Sequence, residues 1–233
     1  MKKLLSVLLT VILTVGIAPV GIAVNAATSG NYTYEIKSGK AIITDVNTNI
    51  SGDITIPASL GGYTVTTIGD RAFYECNRLT GVTIPEGVVE IGEAAFGFCQ
   101  KLTSVSLPST VKTIADGAFS DCIRLEGITI PDGVISIGDL AFSNCDNINE
   151  VVIPNSVTSL GGYVFGWSNR LSKVTVGNGV AAINEGAFFD CQVLENVRLG
   201  DNITSIGDLA FYNTKINNIV ITNGVTRIGN SAF

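Results

Sequence analysis

The sequence predicts a solenoid, mainly β with short helical turns, in which about eight coils of 23 residues stack behind an N-terminal β cap. A phenylalanine, usually preceded by alanine, recurs at intervals of 23 residues six times and then 22. Further apolar residues keep the same spacing, and most copies carry proline or glycine after the first group of them. A unit of this size cannot bury its apolar side alone, so the copies must stack into one core. The repeat phenylalanines are Phe73, Phe96, Phe119, Phe142, Phe165, Phe188, Phe211 and Phe233.

The N-terminal residues 1–26 are predicted to form a secretory signal peptide. Two lysines precede an apolar run from Leu4 to Val24, and Val24-Asn25-Ala26 supplies the small residues that signal peptidase accepts. We expect cleavage after Ala26, although about 20 apolar residues could also span a bilayer as an uncleaved anchor. Cleavage would remove two of the 14 basic residues and none of the 20 acidic ones, so the net charge would change from −6 to −8.

Each coil opens with a predicted strand. Leu79 is followed at the third and fifth positions by Val82 and Ile84, and its equivalents in the other coils show the same alternation. Such alternation is typical of a strand with one buried face. Pro85 ends the strand because proline has no N–H to give to a neighbouring strand.

A second extended piece and a turn complete the coil. The apolar pair Val88 and Ile91 marks the extended piece, and a glycine usually follows it. Glycine permits a sharp corner or a positive φ, but Ala115 and Asn184 occupy the same position, so a positive φ is not compulsory there. A short helical turn is predicted to carry the Ala-Phe pair.

The full pattern, L-x-x-V/I-x-I/L/V-P-x-x-V-x-x-I-G-x-x-A-F-x-x-C-x-x, resembles the BspA-like class of leucine-rich repeat in exported bacterial and some protozoal surface proteins. The resemblance runs from about Ile54 to Phe233 and implies a leucine-rich-repeat solenoid over residues 54–233. Residues 27–53 are interpreted as the N-terminal β cap, because the segment from Tyr32 to Ile56 is similar to the strand pair that opens such domains. Extra residues around Gly61-Gly62-Tyr63 in the first coil predict a surface loop.

The five cysteines are predicted to form a buried ladder. Each lies three residues after a repeat phenylalanine, where Ser168 and Thr214 stand in two other coils. A position that accepts Cys, Ser or Thr favours a small side chain that donates a weak hydrogen bond to a buried carbonyl. An exported protein could use cysteines for disulfides, but the odd number leaves one thiol unpaired. A zinc site needs thiolates that converge, whereas equal positions on successive coils form a line. The cysteines are Cys76, Cys99, Cys122, Cys145 and Cys191.

Composition argues against several function classes. The chain has no histidine, which removes the commonest general base and metal ligand. Its acidic balance repels nucleic acid and anionic membranes. Carboxylates recur at Glu93, Asp116, Asp139 and Glu185, where a preference for acids at helix starts explains them without calcium. We therefore expect no catalytic residue, metal or cofactor, no nucleic-acid partner, and membrane contact only through the signal segment before cleavage.

Two surfaces remain as candidate binding sites. The first, here called the strand face, consists of outward-pointing residues of the first strand in each coil. Threonine there also satisfies simple strand propensity, so the face need not bind anything. The strand face comprises Thr83, Ser106, Thr129, Glu150, Lys173, Thr175 and Arg198.

The second surface, here called the aromatic edge, consists of aromatic residues one or two positions after the repeat phenylalanine. Exposed aromatic rings give a large contact area and can stack on sugars or fill pockets of a partner. The alternative is that they cover the turn or pack one coil against the next. The aromatic edge comprises Tyr74, Phe98, Trp167, Phe189 and Tyr212.

The resemblance implies a secreted or cell-surface recognition and adhesion scaffold for an extracellular protein or glycan. One alternative is a structural spacer that carries another domain. Another is a polysaccharide-active enzyme on a parallel β-helix, which would need Asp, Lys or Arg converging on one face, and the strand face lacks that cluster. Because the chain reaches Phe233 inside a coil without a polar cap, we expect a fragment or a missing partner, and a last coil that frays.

Overall fold

The computed structural model describes residues 26–233, so the predicted signal peptide lies outside the described residues except for its last position. The described chain is a β-solenoid of about eight coils, which confirms the predicted fold class. It begins with three antiparallel strands, β1 (Ala27–Ser29), β2 (Tyr32–Lys37) and β3 (Lys40–Val46). Strand β3 then pairs in parallel with β6 (Tyr63–Ile68), so these first strands continue into a solenoid sheet.

The extra residues of the first coil form the tip of a hairpin. Strand β5 (Ser59–Leu60) pairs antiparallel with β6, and Gly61 and Gly62 connect them with φ values of 58° and 84°. Two successive positive φ values characterise the two-residue turn whose twist matches that of the flanking strands. The predicted surface loop is therefore a tight turn followed by an exposed Tyr63.

Two sets of parallel strands run along the solenoid, and within a sheet each strand pairs with its equivalent in the next coil. The first set contains β4 (Gly52–Thr55), β7 (Leu79–Thr83), β9 (Ser104–Ser106), β12 (Glu150–Ile153), β14 (Lys173–Val176) and β16 (Asn196–Arg198). The second set continues from β6 with β8 (Glu90–Ile91), β10 (Thr113–Ile114), β11 (Ser136–Ile137), β13 (Ser159–Leu160), β15 (Ala182–Ile183), β17 (Ser205–Ile206) and β18 (Arg227–Ile228).

The first set is not a continuous sheet, so the prediction that every coil opens with a strand is wrong for part of the chain. Strands β4, β7 and β9 form one sheet and β12, β14 and β16 form another, because residues 127–130 between them do not form a strand. Gly127 opens this segment, and a glycine inside a strand costs backbone entropy and offers no side chain to pack. The second set is also divided, between β13 and β15.

The predicted short helical turns are wrong: the segments around the Ala-Phe pairs, here called the turn side, contain turns but no helix. Alternate N–H groups there leave the coil. Ala95 N donates within its coil to Gly92 O at 3.2 Å, whereas Phe96 N donates to Ala118 O of the next coil at 2.8 Å. A helix would keep every N–H within its own segment. Instead, each repeat phenylalanine from Phe73 to Phe211 donates its N–H to the following coil at 2.7 to 2.9 Å.

The corner glycines serve close approach of the coils. The positive φ values lie two residues on either side of the repeat phenylalanine, as at Ala94 (48°) and Phe98 (59°), and Gly92 has none. A β-carbon at Gly92 would lie 2.6 Å from Asp70 Oδ1 and 2.7 Å from Asp70 N, in the preceding coil. Glycine is therefore used at Gly92 because a neighbouring backbone occupies the space of a side chain.

The core is a column of phenylalanines. The rings from Phe73 to Phe211 are fully buried and stack coil on coil, with centroids 4.7 to 5.9 Å apart. The strand residues Leu79 and Ile91 are buried around them, as is Val88, which lies just before the second strand of its coil. No helix in residues 26–233 has the length and apolarity needed to cross a membrane.

Candidate binding surfaces

The strand face contains the seven side chains that the alternation of the strands predicts. Along β12 exposed and buried residues alternate strictly. Six of the seven are exposed and Thr175 is half-buried. Thr175 and Arg198 are register partners, and the same holds for Glu150 and Lys173. The face is divided at Thr129, which lies in the segment that forms no strand.

The two halves of the strand face differ in charge. In the first half Thr80 donates a hydrogen bond to Asp53 at 2.6 Å, and Asp53 is the one charged residue beside a shallow depression of about 280 Å³ that is otherwise lined by hydroxyl, small and aliphatic residues. In the second half Lys173 pairs with Glu150 at 2.6 Å, and depressions of about 340 to 450 Å³ adjoin Arg198. Both members of the ion pair are about half exposed, at 51% and 46%, so solvent screens it.

The aromatic edge is divided into two groups of rings. Tyr74 and Phe98 lie 5.5 Å apart in the first group, with the Arg71 guanidinium 5.6 Å from the Tyr74 ring centre. In the second group Trp167 meets Phe189 edge-on at 5.2 Å, and Phe189 stacks on Tyr212 at 5.3 Å. The predicted rings therefore do pack from coil to coil, yet Phe98, Trp167 and Tyr212 remain 36%, 36% and 44% exposed.

Sequence analysis missed Tyr163, which belongs to the second group. Its ring stacks on Trp167 at 5.5 Å and lies 6.0 Å from Phe189. Its hydroxyl donates a hydrogen bond to Glu185 Oε1 at 3.0 Å, and burial, reinforced by Glu185, raises its pKa. Tyr163 precedes the repeat phenylalanine by two residues, whereas the aromatic edge was defined by the positions after it. A comparison of that position in all coils could have found it.

The cysteines form a line along the turn side, where they are buried and free. Sγ of Cys99, Cys122, Cys145 and Cys191 donates to the carbonyl oxygen of a repeat phenylalanine in the preceding coil at 3.1 to 3.2 Å. Ser168 makes the same bond to Phe142 O at 3.3 Å, whereas Thr214 bonds within its own coil, to Phe211 O.

Burial makes these thiols poor nucleophiles. It raises the pKa of Cys76 to about 11 and the pKa values of Cys99 and Cys191 to about 12. It also raises the pKa values of Cys122 and Cys145, which lie deeper. Because the thiolate is the reactive and metal-binding form, a thiol in this environment is unreactive near neutral pH.

The recurring carboxylates do not cap helices, because the turn side has none. Asp116 instead accepts a hydrogen bond from Asp139 N of the next coil at 2.8 Å, and Asp139 accepts one from Gly162 N at 2.7 Å. Each links neighbouring coils through one oxygen, and both side chains are exposed. In residues 26–233 no group of three or more His, Cys, Asp or Glu side chains could hold a metal ion.

Comparisons with known proteins agree with this geometry. A family model described as the BspA type leucine rich repeat region matches six copies, over residues 47–170 and 114–233. A leucine-rich repeat protein of T. pallidum is similar in structure, with a TM-score of 0.74 and 30% identity over 81% of this chain and 89% of that protein.

A leucine-rich repeat protein of Bacteroides ovatus is also similar, with a TM-score of 0.68 and 28% identity over 87% of this chain. This chain spans 61% of that protein's length. A search of curated proteins gave no match.

Proposed function

This chain belongs to the BspA-type leucine-rich repeat family, and from that premise we propose that it is a non-catalytic recognition or adhesion scaffold whose aromatic edge binds an extracellular protein or glycan. The fold is a repeat scaffold, and solenoids suit binding because they offer long surfaces built from equivalent positions.

The observation that carries the proposal is the exposure of rings that the core does not need. The phenylalanine column already fills the interior, and its members are fully buried. Phe98, Trp167 and Tyr212 stand outside it and keep a third or more of their surface in contact with solvent. Aromatic side chains lose little conformational entropy on binding and bury a large area, which is why they dominate contact energies.

The proposed location is outside the cell, either released or attached to the surface. The lysine-led apolar segment at the N-terminus supports export, as does the resemblance of the repeats to those of exported bacterial surface proteins. Free thiols are compatible with an oxidising compartment here, because each is buried.

A binding experiment on residues 27–233 tests the proposal. The chain is applied to an array of extracellular-matrix proteins and bacterial glycans, and two variants are tested beside it, each with surface residues changed to Ser. In the first, Tyr74, Phe98, Trp167, Phe189 and Tyr212 are changed to Ser. In the second, Glu150, Lys173 and Arg198 of the strand face are changed to Ser, which leaves every ring in place.

We expect saturable binding that the aromatic-edge variant loses and the strand-face variant retains. Loss only in the strand-face variant would contradict the proposed site and move it to that face. A folded chain that binds nothing on the array would contradict the proposal and favour the structural spacer. Circular dichroism of each variant verifies that it remains folded.

A further inference from the structure

A groove of about 250 Å³ opens on the turn side next to the first group of rings. Its lining includes Tyr74, Phe98 and Leu140, together with Gly97, Gly117 and Asp116. The Leu140 side chain is 41% exposed there. The groove is thus mainly apolar, with carboxylates of successive coils also on its lining.

The second half of the molecule fills the corresponding place with a side chain of its own. Positions three coils apart are equivalent, so Ala94 and Phe98 correspond to Tyr163 and Trp167. In the following coil Asp116, Gly117 and Ser120 correspond to Glu185, Gly186 and Phe189. Tyr163 lies against Trp167 and over Gly186, where a β-carbon would overlap its ring. It also bonds Glu185.

The first half has the same backbone but lacks the tyrosine. Gly117 and Gly186 have nearly equal φ values, 60° and 57°. A β-carbon at Gly117 would meet only Cβ of Ser120, at 3.9 Å, so the space that the Tyr163 ring takes over Gly186 is open over Gly117. Alanine at position 94 is too short to reach it. The groove over Gly117 is therefore equivalent to the position over Gly186 that the Tyr163 ring covers in the second half of the molecule.

The charge of the groove limits what can enter. Glu93, Asp116 and Asp139 line it in three successive coils and are all exposed. None of them forms an ion pair, since the salt bridge between Lys173 and Glu150 is the only one in residues 26–233. The one cation on the lining, Arg71, lies over the Tyr74 ring. An incoming segment should therefore carry hydrogen-bond donors and positive charge.

We propose that this groove docks a tyrosine of a protein partner, with the ring over Gly117 against Phe98, the hydroxyl donating to Asp116, and neighbouring basic residues facing Glu93 and Asp139. The proposal rests on the proposed function in treating this edge as a binding surface. It deepens that function by naming the ligand as a basic, tyrosine-bearing protein segment.

The test uses the capped peptide Lys-Lys-Tyr-Lys-Lys as probe and amide chemical shifts of ¹⁵N-labelled residues 27–233 as readout. We expect saturable shifts at Gly97, Gly117 and Ser120 and none at Gly186, where the protein's own ring lies. Replacing the peptide's tyrosine by leucine removes the ring together with its hydroxyl, and replacing its lysines by glutamine removes the charge. Each change should weaken binding about tenfold or more. Equal binding of the leucine peptide would overturn the proposal.

Two variants of opposite direction sharpen the test. Ala94→Tyr should place a ring over Gly117 as Tyr163 does over Gly186, and so abolish the shifts. The backbone suits it, because Ala94 and Tyr163 have φ values of 48° and 50°. Tyr163→Ala should open the equivalent space over Gly186 and add saturable shifts there. The variant should then bind two peptides per chain instead of one. A folded A94Y chain that binds like the wild type would overturn the proposal.

Asp116→Asn is a third variant, which tests the groove even if A94Y does not fold. Asparagine keeps the oxygen that accepts the Asp139 N–H, so the link between coils is retained while the charge is lost. We expect weaker peptide binding, and unchanged binding would overturn the proposal. The proposed function is tested separately, by the array experiment. It would be contradicted if the array ligand bound the aromatic-edge variant normally, even if the peptide bound the groove of the wild-type chain.

Discussion

The turn side and the strand side of the coils differ in continuity. On the turn side every repeat phenylalanine from Phe73 to Phe211 donates its N–H to the next coil, without an interruption. On the strand side the first set of strands is broken at residues 127–130. The cysteine and carboxylate bonds between coils also lie on the turn side. The difference indicates that turns, more than β-strands, hold this solenoid together.

The largest expected effect comes from the phenylalanine column. Phe142→Ala removes a fully buried ring that stacks on Phe119 and Phe165 at 5.4 and 5.3 Å. It should lower the free energy of unfolding by about 3–5 kcal/mol, measured by urea denaturation. The control is Val152→Ala in β12, where the side chain is half exposed and its truncation should cost about 0.5 kcal/mol or less. Similar losses for the two variants would contradict the comparison.

The next prediction compares the same substitution, glycine to alanine, at Gly138 on the turn side and at Gly127 on the strand side. A β-carbon at Gly138 would lie 2.5 Å from Asp116 N and 2.7 Å from the Ala115 carbonyl carbon, so the coils would have to move apart. Gly138→Ala should therefore destabilise the protein by about 1–3 kcal/mol in thermal or urea unfolding.

On the strand side Gly127 has open space at its β-carbon, and its φ is not positive. Gly127→Ala should stabilise the protein by about 0.5–1 kcal/mol, because alanine loses less backbone entropy on folding. Changes of the same sign in both variants would mean that the two sides tolerate side chains alike.

Alkaline pH should weaken the turn side through its thiols. Burial raises the pKa of Cys99 from 9.0 to about 12, so the unfolded chain loses this proton at lower pH than the folded chain. The contribution of the group is thus complete below pH 9 and is lost progressively from pH 9 towards 12. Each pH unit in this window should cost about 1.4 kcal/mol.

Cys99→Ser isolates this effect, since serine can donate the same bond, as Ser168 does. The difference in unfolding free energy between variant and wild type should change in favour of the variant by about 1 kcal/mol between pH 9 and pH 10. A pH-independent difference would show that the Cys99 thiol ionises equally in both states.

The smallest effect belongs to the ion pair on the strand face. Lys173→Gln removes the partner of Glu150, but both side chains are about half exposed. The loss of stability should be about 0.2–1 kcal/mol at low salt and should disappear in about 1 M salt, where charges are screened over about 3 Å. A loss that persists in high salt would indicate packing by the lysine stem.

The sequence predicted the features that depend on spacing. The phenylalanine column and the outward direction of Glu150 and Lys173 follow from apolar residues that recur at fixed intervals. The turns around Phe96 were misassigned as helical because the pattern does not reveal that its N–H leaves the coil. That partner, Ala118, becomes known only when two coils are placed side by side.

The candidate site was predicted in part. The rings of Trp167 and Phe189 follow the repeat phenylalanine and were found there. Tyr163 was missed because it precedes the repeat phenylalanine by two residues, whereas the aromatic edge was defined by the positions after it. The groove over Gly117 could not be predicted from the sequence, since it is the space that the short Ala94 side chain leaves open between two coils.

The sequence separation between residues that hydrogen-bond from coil to coil is nearly constant, and this affects how the chain folds. These bonds join residues 21 to 27 positions apart, whichever coil is considered. Their separation in sequence therefore does not grow as coils are added, and the entropy of loop closure is the same for each addition. The hairpin of β2 and β3 closes through only Ser38 and Gly39 and offers a ready edge to β6. Folding should start quickly at that hairpin and propagate coil by coil, at a rate per coil that does not depend on the length of the solenoid.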